Sequence, residues 1–429
     1  MRVRSTVVHT PTPDSVELLD QMLITVDGDG TITSLEPDDG AGAVDVDLPP
    51  GQVLLPGFID THLHAPQWPN LGSGLDLPLE RWLGEHTFPT EARFADVSFA
   101  QQVWDDMVPT LLSLGTTTAV YHSSIHREAT RLLAETCVRF GQRALVGRVA
   151  MDHPDSCPEW YRDVSAEGGV AESAASIADI RALGSPLVEP IITPRFIPAC
   201  SDELLVSLGK LAHESGVRVQ THCSESDWEH QVVLDRYGIT DTAALERFGL
   251  LREHTVLAHA THLTDDDAAM VIGTGAGTAH CPMSNSYFAN AVFPAYRHLS
   301  AGMRVGLGTD VSGGPSPSMA DQIAHAVTVS RMFRDGVDPD RASTRTESEI
   351  SITAAVWMAT AGGAALAGLP VGLFEVGRQF DAIAVAEPGV FGGETAGLDP
   401  AIRLERVVRA LTRSRPDHVW VNGVDVTPG

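Results

Sequence analysis

Two histidines one residue apart, His62 and His64, end an apolar run that reads Pro56-Gly57-Phe58-Ile59-Asp60-Thr61-His62-Leu63-His64. In a strand alternate side chains share a face, so the two imidazoles point the same way. Two imidazoles on one face are half of a divalent-metal site, and they suit zinc, iron or nickel. Further candidate site residues lie downstream: His222 and Glu225 in Gln220-Thr221-His222-Cys223-Ser224-Glu225, His259 in Ala258-His259-Ala260, and Asp310 in Gly308-Thr309-Asp310. A mononuclear centre needs three or four ligands and an open position, which His62, His64, His222 and Asp310 can supply. Glu225 stands three residues past His222, where a carboxylate beside a metal can pass protons to a leaving group. His259 can ligate or hydrogen-bond at the same centre. Asp310 can also accept a proton there. Gln67 and Arg195 are the polar groups directed at a ligand. An amide donor and acceptor with a guanidinium fork suit a flat heterocycle carrying a carbonyl and ring nitrogens. His280, His122 and His126 read as structural residues near strand ends.

These residues are far apart in the chain, so the fold must gather them. Eight short apolar strand candidates recur at 53–64, 116–123, 144–152, 187–196, 217–225, 255–260, 277–282 and 304–310. Amphipathic stretches at 99–114, 128–140, 171–183, 202–215 and 265–273 lie between them, and glycines such as Gly141, Gly216 and Gly275 stand where helices end. Alternating strands and helices with polar residues at one strand end predict a (β/α)8 TIM-like barrel, whose active site is built at the C-terminal ends of its strands. Both termini are strand-rich and turn-rich instead. Neither end alone makes a two-sided core, which predicts one small β-sandwich domain from 1–56 and 371–429 around a barrel at 57–370. The first loop, 77–87, carries Trp82 and reads as a lid over the barrel mouth.

Composition excludes other classes. The chain has 429 residues, 43% hydrophobic and 20% charged, with a formal net charge of −27. That charge argues against a nucleic acid or an anionic membrane as partner, because both need a basic face. Five cysteines without a CxxC pair do not make a disulfide framework, which places the protein in a reducing, cytoplasmic setting. No apolar run approaches the length of a membrane span, and no apolar leader follows Arg2 and Arg4.

Assembled in order, PGFIDTHLH, THCSES, AHA and GLGTD resemble the amidohydrolase superfamily. A closer set resembles its guanine deaminases: Asp60–Gln67 in sequence, Leu77-Pro78-Leu79-Glu80-Arg81-Trp82-Leu83, Thr87-Phe88-Pro89, Phe140-Gly141-Gln142-Arg143-Ala144, Thr193-Pro194-Arg195-Phe196 and Ala279-His280-Cys281-Pro282. The resemblance implies hydrolysis of guanine to xanthine and ammonia at one zinc ion per chain, with iron also compatible. It implies His62, His64, His222 and Asp310 as ligands and Glu225 as the proton-transferring acid. Gln67, Arg195, Phe196 and His259 then contact the purine or orient water. Relatives are commonly homodimers, so a homodimer is expected. The sole lysine, Lys210, falls in a helical stretch, so a centre bridged by a carbamylated lysine after strand four is not expected. Met283 and the segment 286–290 depart from the family pattern and leave the ring-substituent preference open. The alternatives are a deaminase or dechlorinase of another flat ring, such as 8-oxoguanine, cytosine or a triazine, and a non-catalytic scaffold.

Overall fold

The computed structural model describes residues 1–40, 42–289, 292–335, 349–388 and 397–429; Asn290 of the divergent segment lies outside them. The N-terminal strands are β1 (Arg2–Thr12), β2 (Ser15–Val26), β3 (Ile32–Pro37), β4 (Val46–Asp47) and β5 (Gln52–Pro56). The turn Asp27-Gly28-Asp29-Gly30 joins β2 to β3, and Asp27 Oδ1 accepts from Asp29 N and Thr31 N at 2.9 Å each.

The apolar run at 53–64 is two strands, not one. β5 ends at Pro56, and β6 (Phe58–His64) begins one residue later in a different sheet. Gly57 is the joint. A Cβ there would lie 2.2 Å from Thr117 Oγ1, so the chain turns between the sheets only where no side chain intervenes.

The barrel strands follow: β6, β7 (Thr116–His122), β8 (Arg143–Gly147) with its extension β9 (Val149–Ala150), β10 (Val188–Pro194), β11 (Arg218–Cys223), β12 (Val256–His259), β13 (Gly277–His280) and β14 (Arg304–Leu307). Each pairs in parallel with the next around the barrel. The last strand meets the first, with Asp310 N donating to His62 O (2.9 Å), His64 N to Val311 O (2.8 Å) and Thr61 Oγ1 to Leu307 O (2.8 Å). The expected (β/α)8 architecture is therefore present. Buried side chains such as Phe58, Tyr121, Leu257 and Leu307 form its core with the surrounding helices. The helix Asp202–Ser215 has the predicted bounds, capped by the Ser201 side chain on Leu204 N and closed by Gly216 with φ 66°.

After the barrel the chain returns as β15 (Ala382–Ala386), β16 (His418–Val421) and β17 (Val424–Asp425). These join the N-terminal strands in one eight-stranded, mostly antiparallel sheet ordered β17-β16-β15-β5-β1-β2-β3, with β4 beside β1. Both termini thus share a core of Val3, Val7, Ile24, Leu54, Phe380 and Trp420. A buried bidentate pair, Arg143 Nε to Asp381 Oδ2 (2.8 Å) and Nη2 to Oδ1 (3.0 Å), ties this sheet to the base of β8. Among the described residues no helix is long and apolar enough to cross a membrane, and all five cysteines are buried and unpaired.

Candidate active site

The strand ends converge. His62 and His64 close β6, His222 lies in β11, His259 closes β12, and Asp310 follows β14. Ser224, His259, Ala260 and Asp310 adopt left-handed backbone conformations, with φ of 49°, 69°, 49° and 49°. Non-glycine residues enter that region at a cost and do so most often where a side chain must be aimed. The aim here is common. His62 Nε2 lies 3.1 Å and His64 Nε2 3.6 Å from Asp310 Oδ1, and His64 Nε2 lies 2.9 Å from His222 Nε2. His259 Nε2 is 3.7 Å from Glu225 Oε1 and 4.0 Å from Asp310 Oδ2. All six side chains are buried.

The donor set fits a divalent metal. Two ligands on one zinc stand roughly 3–3.6 Å apart at about 2.1 Å from the ion, and the spacings around Asp310 and His222 match that. Burial holds His62, His64 and His222 well below the usual histidine range, so they are neutral and able to ligate. His222 Nδ1 bonds the Arg195 carbonyl at 2.6 Å and His259 Nδ1 bonds Asn285 Oδ1 at 2.9 Å. Each outer bond fixes a tautomer that turns the Nε2 lone pair inward. Both nitrogens of His62 and Nε2 of His259 are buried without a hydrogen bond, which a native interior tolerates only for a reason such as an ion. Three mutually close groups stand out: His62–His222–His259, His62–His64–Asp310 and Glu225–His259–Asp310. Burial, with the Asp310 carboxylate nearby, holds Glu225 well above the usual carboxylate range, and burial also raises Asp310.

Beside this cluster is a cavity lined by His64, Gln67, Leu79, Trp82, Leu83, Arg195, Phe196, His222, Glu225, Phe288, Asp310 and Gly313. Trp82 reaches it from the first connection, which is helical rather than an open loop: Leu79–Trp82, a π-helical turn Leu83–Thr87, then Phe88–Ala92. Pro78 caps this helix and Pro89 sits in the first turn of its last segment, positions where a missing N–H is tolerated. Such punctuation resembles a loop in sequence.

A model of the amidohydrolase family matches residues 53–426. The chain belongs to the amidohydrolase family. It is 36% identical to the guanine deaminase of Dictyostelium discoideum over 91% of both chains, and 35% identical to that of Homo sapiens over 99% of this chain and 96% of that one. Among solved structures, guanine deaminase from C. acetobutylicum with bound guanine superposes with a TM-score of 0.90 at 29% identity, covering 99% of each chain. The barrel is that of a hydrolytic enzyme.

Several residues of this amidohydrolase site escape sequence reasoning. Glu91, fully buried, accepts from Gln67 Nε2 (2.8 Å), Arg195 Nη1 and Nη2 (2.7 and 3.1 Å) and Tyr161 OH (2.8 Å). Asn285 orients His259. His122, read as structural, packs its ring 4.7 Å from His62, 4.8 Å from His64 and 5.0 Å from His222, with neither nitrogen hydrogen-bonded. His280 is different: its ring lies 5.0 Å from Phe293, whose other neighbour at 5.0 Å is His298. His126 packs 5.8 Å from Tyr161.

Proposed function

We propose that the protein hydrolyses guanine to xanthine and ammonia, with one zinc ion held by His62, His64, His222 and Asp310. The observation that carries this reading is the meeting of two buried carboxylates, Glu225 and Asp310, with an imidazole cluster at a cavity lined by Gln67, Arg195 and Phe196. The two relatives at 36% and 35% identity, both guanine deaminases, favour guanine as the ring. A zinc ion in this set would polarise water and lower its pKa toward neutrality.

The chain's own groups do the remaining work. Asp310 accepts a proton from the water that adds to the ring carbon bearing the amine. Glu225, whose proton burial helps retain, gives it to the adjacent ring nitrogen and takes one back from the added hydroxyl as the carbonyl forms, while the proton held by Asp310 passes to the amine, which leaves as ammonia. His259, fixed by Asn285, orients the water. Gln67 and Arg195 meet the carbonyl and ring nitrogens, while Phe196 and Trp82 cover the apolar faces. A domain boundary at Gly57, with 371–429 returning to the N-terminal sheet, goes with this reading and leaves 57–370 as the catalytic barrel.

The test is ammonia release from guanine by wild-type protein and Glu225→Gln, with metal content measured on both. Wild-type turnover, with a loss of about 10²–10⁴-fold in the variant at unchanged metal content, is expected. Equal turnover of 8-oxoguanine, cytosine or a triazine would reject guanine as the substrate. Near-normal turnover by Glu225→Gln would reject its role.

A further inference from the structure

Gln67 and Arg195 do not face the cavity as free groups. The two Arg195 nitrogens form a fork-to-fork pair with Glu91, Oε1 of Glu91 also takes Gln67 Nε2, and Oε2 takes Tyr161 OH. Gln67 Oε1 is occupied by Ser312 N at 3.3 Å. Every part of this network is buried. Glu91 lies on the same helical stretch, 79–92, as Leu79, Trp82 and Leu83, which cover the cavity. Phe88, three residues before Glu91 and hence on the same helix face, sits with its ring centre 5.2 Å from the Arg195 guanidinium carbon and 6.0 Å from the Tyr161 ring. One turn of helix thus carries both a carboxylate and an aromatic face for a single arginine.

Two consequences follow from the chemistry. A guanidinium whose charge is matched by a buried carboxylate presents donors without net charge, which suits a neutral carbonyl better than an anion. Of its five N–H groups the fork uses two, and Gln67 uses one of two, so donors remain for a ligand while both side chains keep one geometry. We propose that Glu91 is a positioning residue for ring recognition: it sets Gln67 and Arg195 for the ring carbonyl and pins the covering helix to the barrel mouth. This rests on the guanine reading above, and it assigns the preference for a carbonyl-bearing ring to a residue that touches no substrate.

The experiment compares guanine with 2-aminopurine, which carries the same amine but lacks the carbonyl, in wild type, Glu91→Gln and Tyr161→Phe. In Glu91→Gln, KM for guanine is expected to rise on the order of 10–100-fold with a smaller change in kcat. The kcat/KM ratio of guanine to 2-aminopurine should collapse by a similar factor. A general loss of structure would lower both substrates alike and leave that ratio standing. Tyr161→Phe removes one bond and keeps the ion pair, so the ratio should shift the same way by a few-fold; this variant decides the matter if Glu91→Gln does not fold. A wild-type ratio and KM in the folded variants would overturn the inference. A wild type that releases no ammonia from guanine would instead reject the substrate assignment itself.

Discussion

At the scale of single residues, the site divides into groups that spacing reveals and groups that only packing reveals. His62 and His64 are legible because period-two alternation at a strand end puts both on one face. His222, Asp310 and Glu225 are legible because each stands at or just past the end of an apolar strand in a repeating β–α pattern. Glu91 and Asn285 carry no such signal: each serves a partner far off in sequence, Arg195 for Glu91 being 104 residues away. His122 does close a strand, β7, but its position alone does not separate it from a structural histidine. Asn285 makes the point testable. It holds His259 through one hydrogen bond, so Asn285→Ala should lower kcat by about 10–100-fold, as loss of an outer partner does, with a melting temperature near wild type. Unchanged steady-state rates would show that His259 needs no such support. A second residue-scale prediction concerns acid. Burial lowers His280 to about 3 and His298 to about 4, against about 6.5 for an unfolded histidine. Both are neutral in the fold, so below pH 6.5 the unfolded chain binds the protons first. Stability is therefore intact above about pH 6.5 and falls as the pH drops toward 4 and then 3. His298→Gln should flatten the melting temperature between pH 6.5 and 4; an equally steep fall in the variant would contradict this.

At the scale of elements, the barrel strands and several helices are legible because their burial is regular, while the joints are not. The run at 53–64 is buried almost throughout in both β5 and β6, so it reads as one strand although the expected domain boundary falls between 56 and 57; the clash a Cβ at Gly57 would make with Thr117 shows why the chain breaks there. The stretch 79–92 hides its helical character behind prolines and Gly84, because propensity is a weak guide once tertiary contacts decide. The connection between the sheets also rests on a long-range pair. Arg143, in β8, and Asp381, just before β15, form two hydrogen bonds in a buried setting, and Asp381 Oδ1 further accepts from Asn422 N at 2.7 Å. Removing one partner of such a pair leaves an uncompensated buried charge. Asp381→Ala should cost about 3–5 kcal/mol in denaturant unfolding. The double variant with Arg143→Met should recover a good part of that, since an apolar replacement of both partners removes the stranded charge. A double variant no more stable than the single one would mean the pair matters for shape, not for charge.

At the scale of the whole molecule, the charge balance is the dominant feature. The chain carries 56 acidic against 29 basic residues, a net −27, and 28 of those 29 cations are arginine. Many arginines are already committed to carboxylates, as in Arg127–Asp179, Arg218–Glu189 and Arg403–Glu387. The excess acidic groups therefore meet mostly one another across the surface. Like charges on a compact body repel, and unfolding relieves the repulsion by spreading them out. Salt weakens exposed pairs of either sign, with a screening length near 10 Å at about 0.1 M. For a balanced protein the two effects nearly cancel; for this one the repulsive part is larger. Raising sodium chloride from about 0.02 to 0.5 M should therefore raise the melting temperature by roughly 2–6 °C, the range that one to a few kcal/mol produces in a domain of more than 150 residues. Chloride separates this from surface exclusion, which sulfate would add. Most of the gain should arrive below about 0.2 M, where screening changes fastest, and level off above it. A melting temperature that falls over this interval would show that the arginine–carboxylate pairs, rather than the unmatched acids, govern the surface.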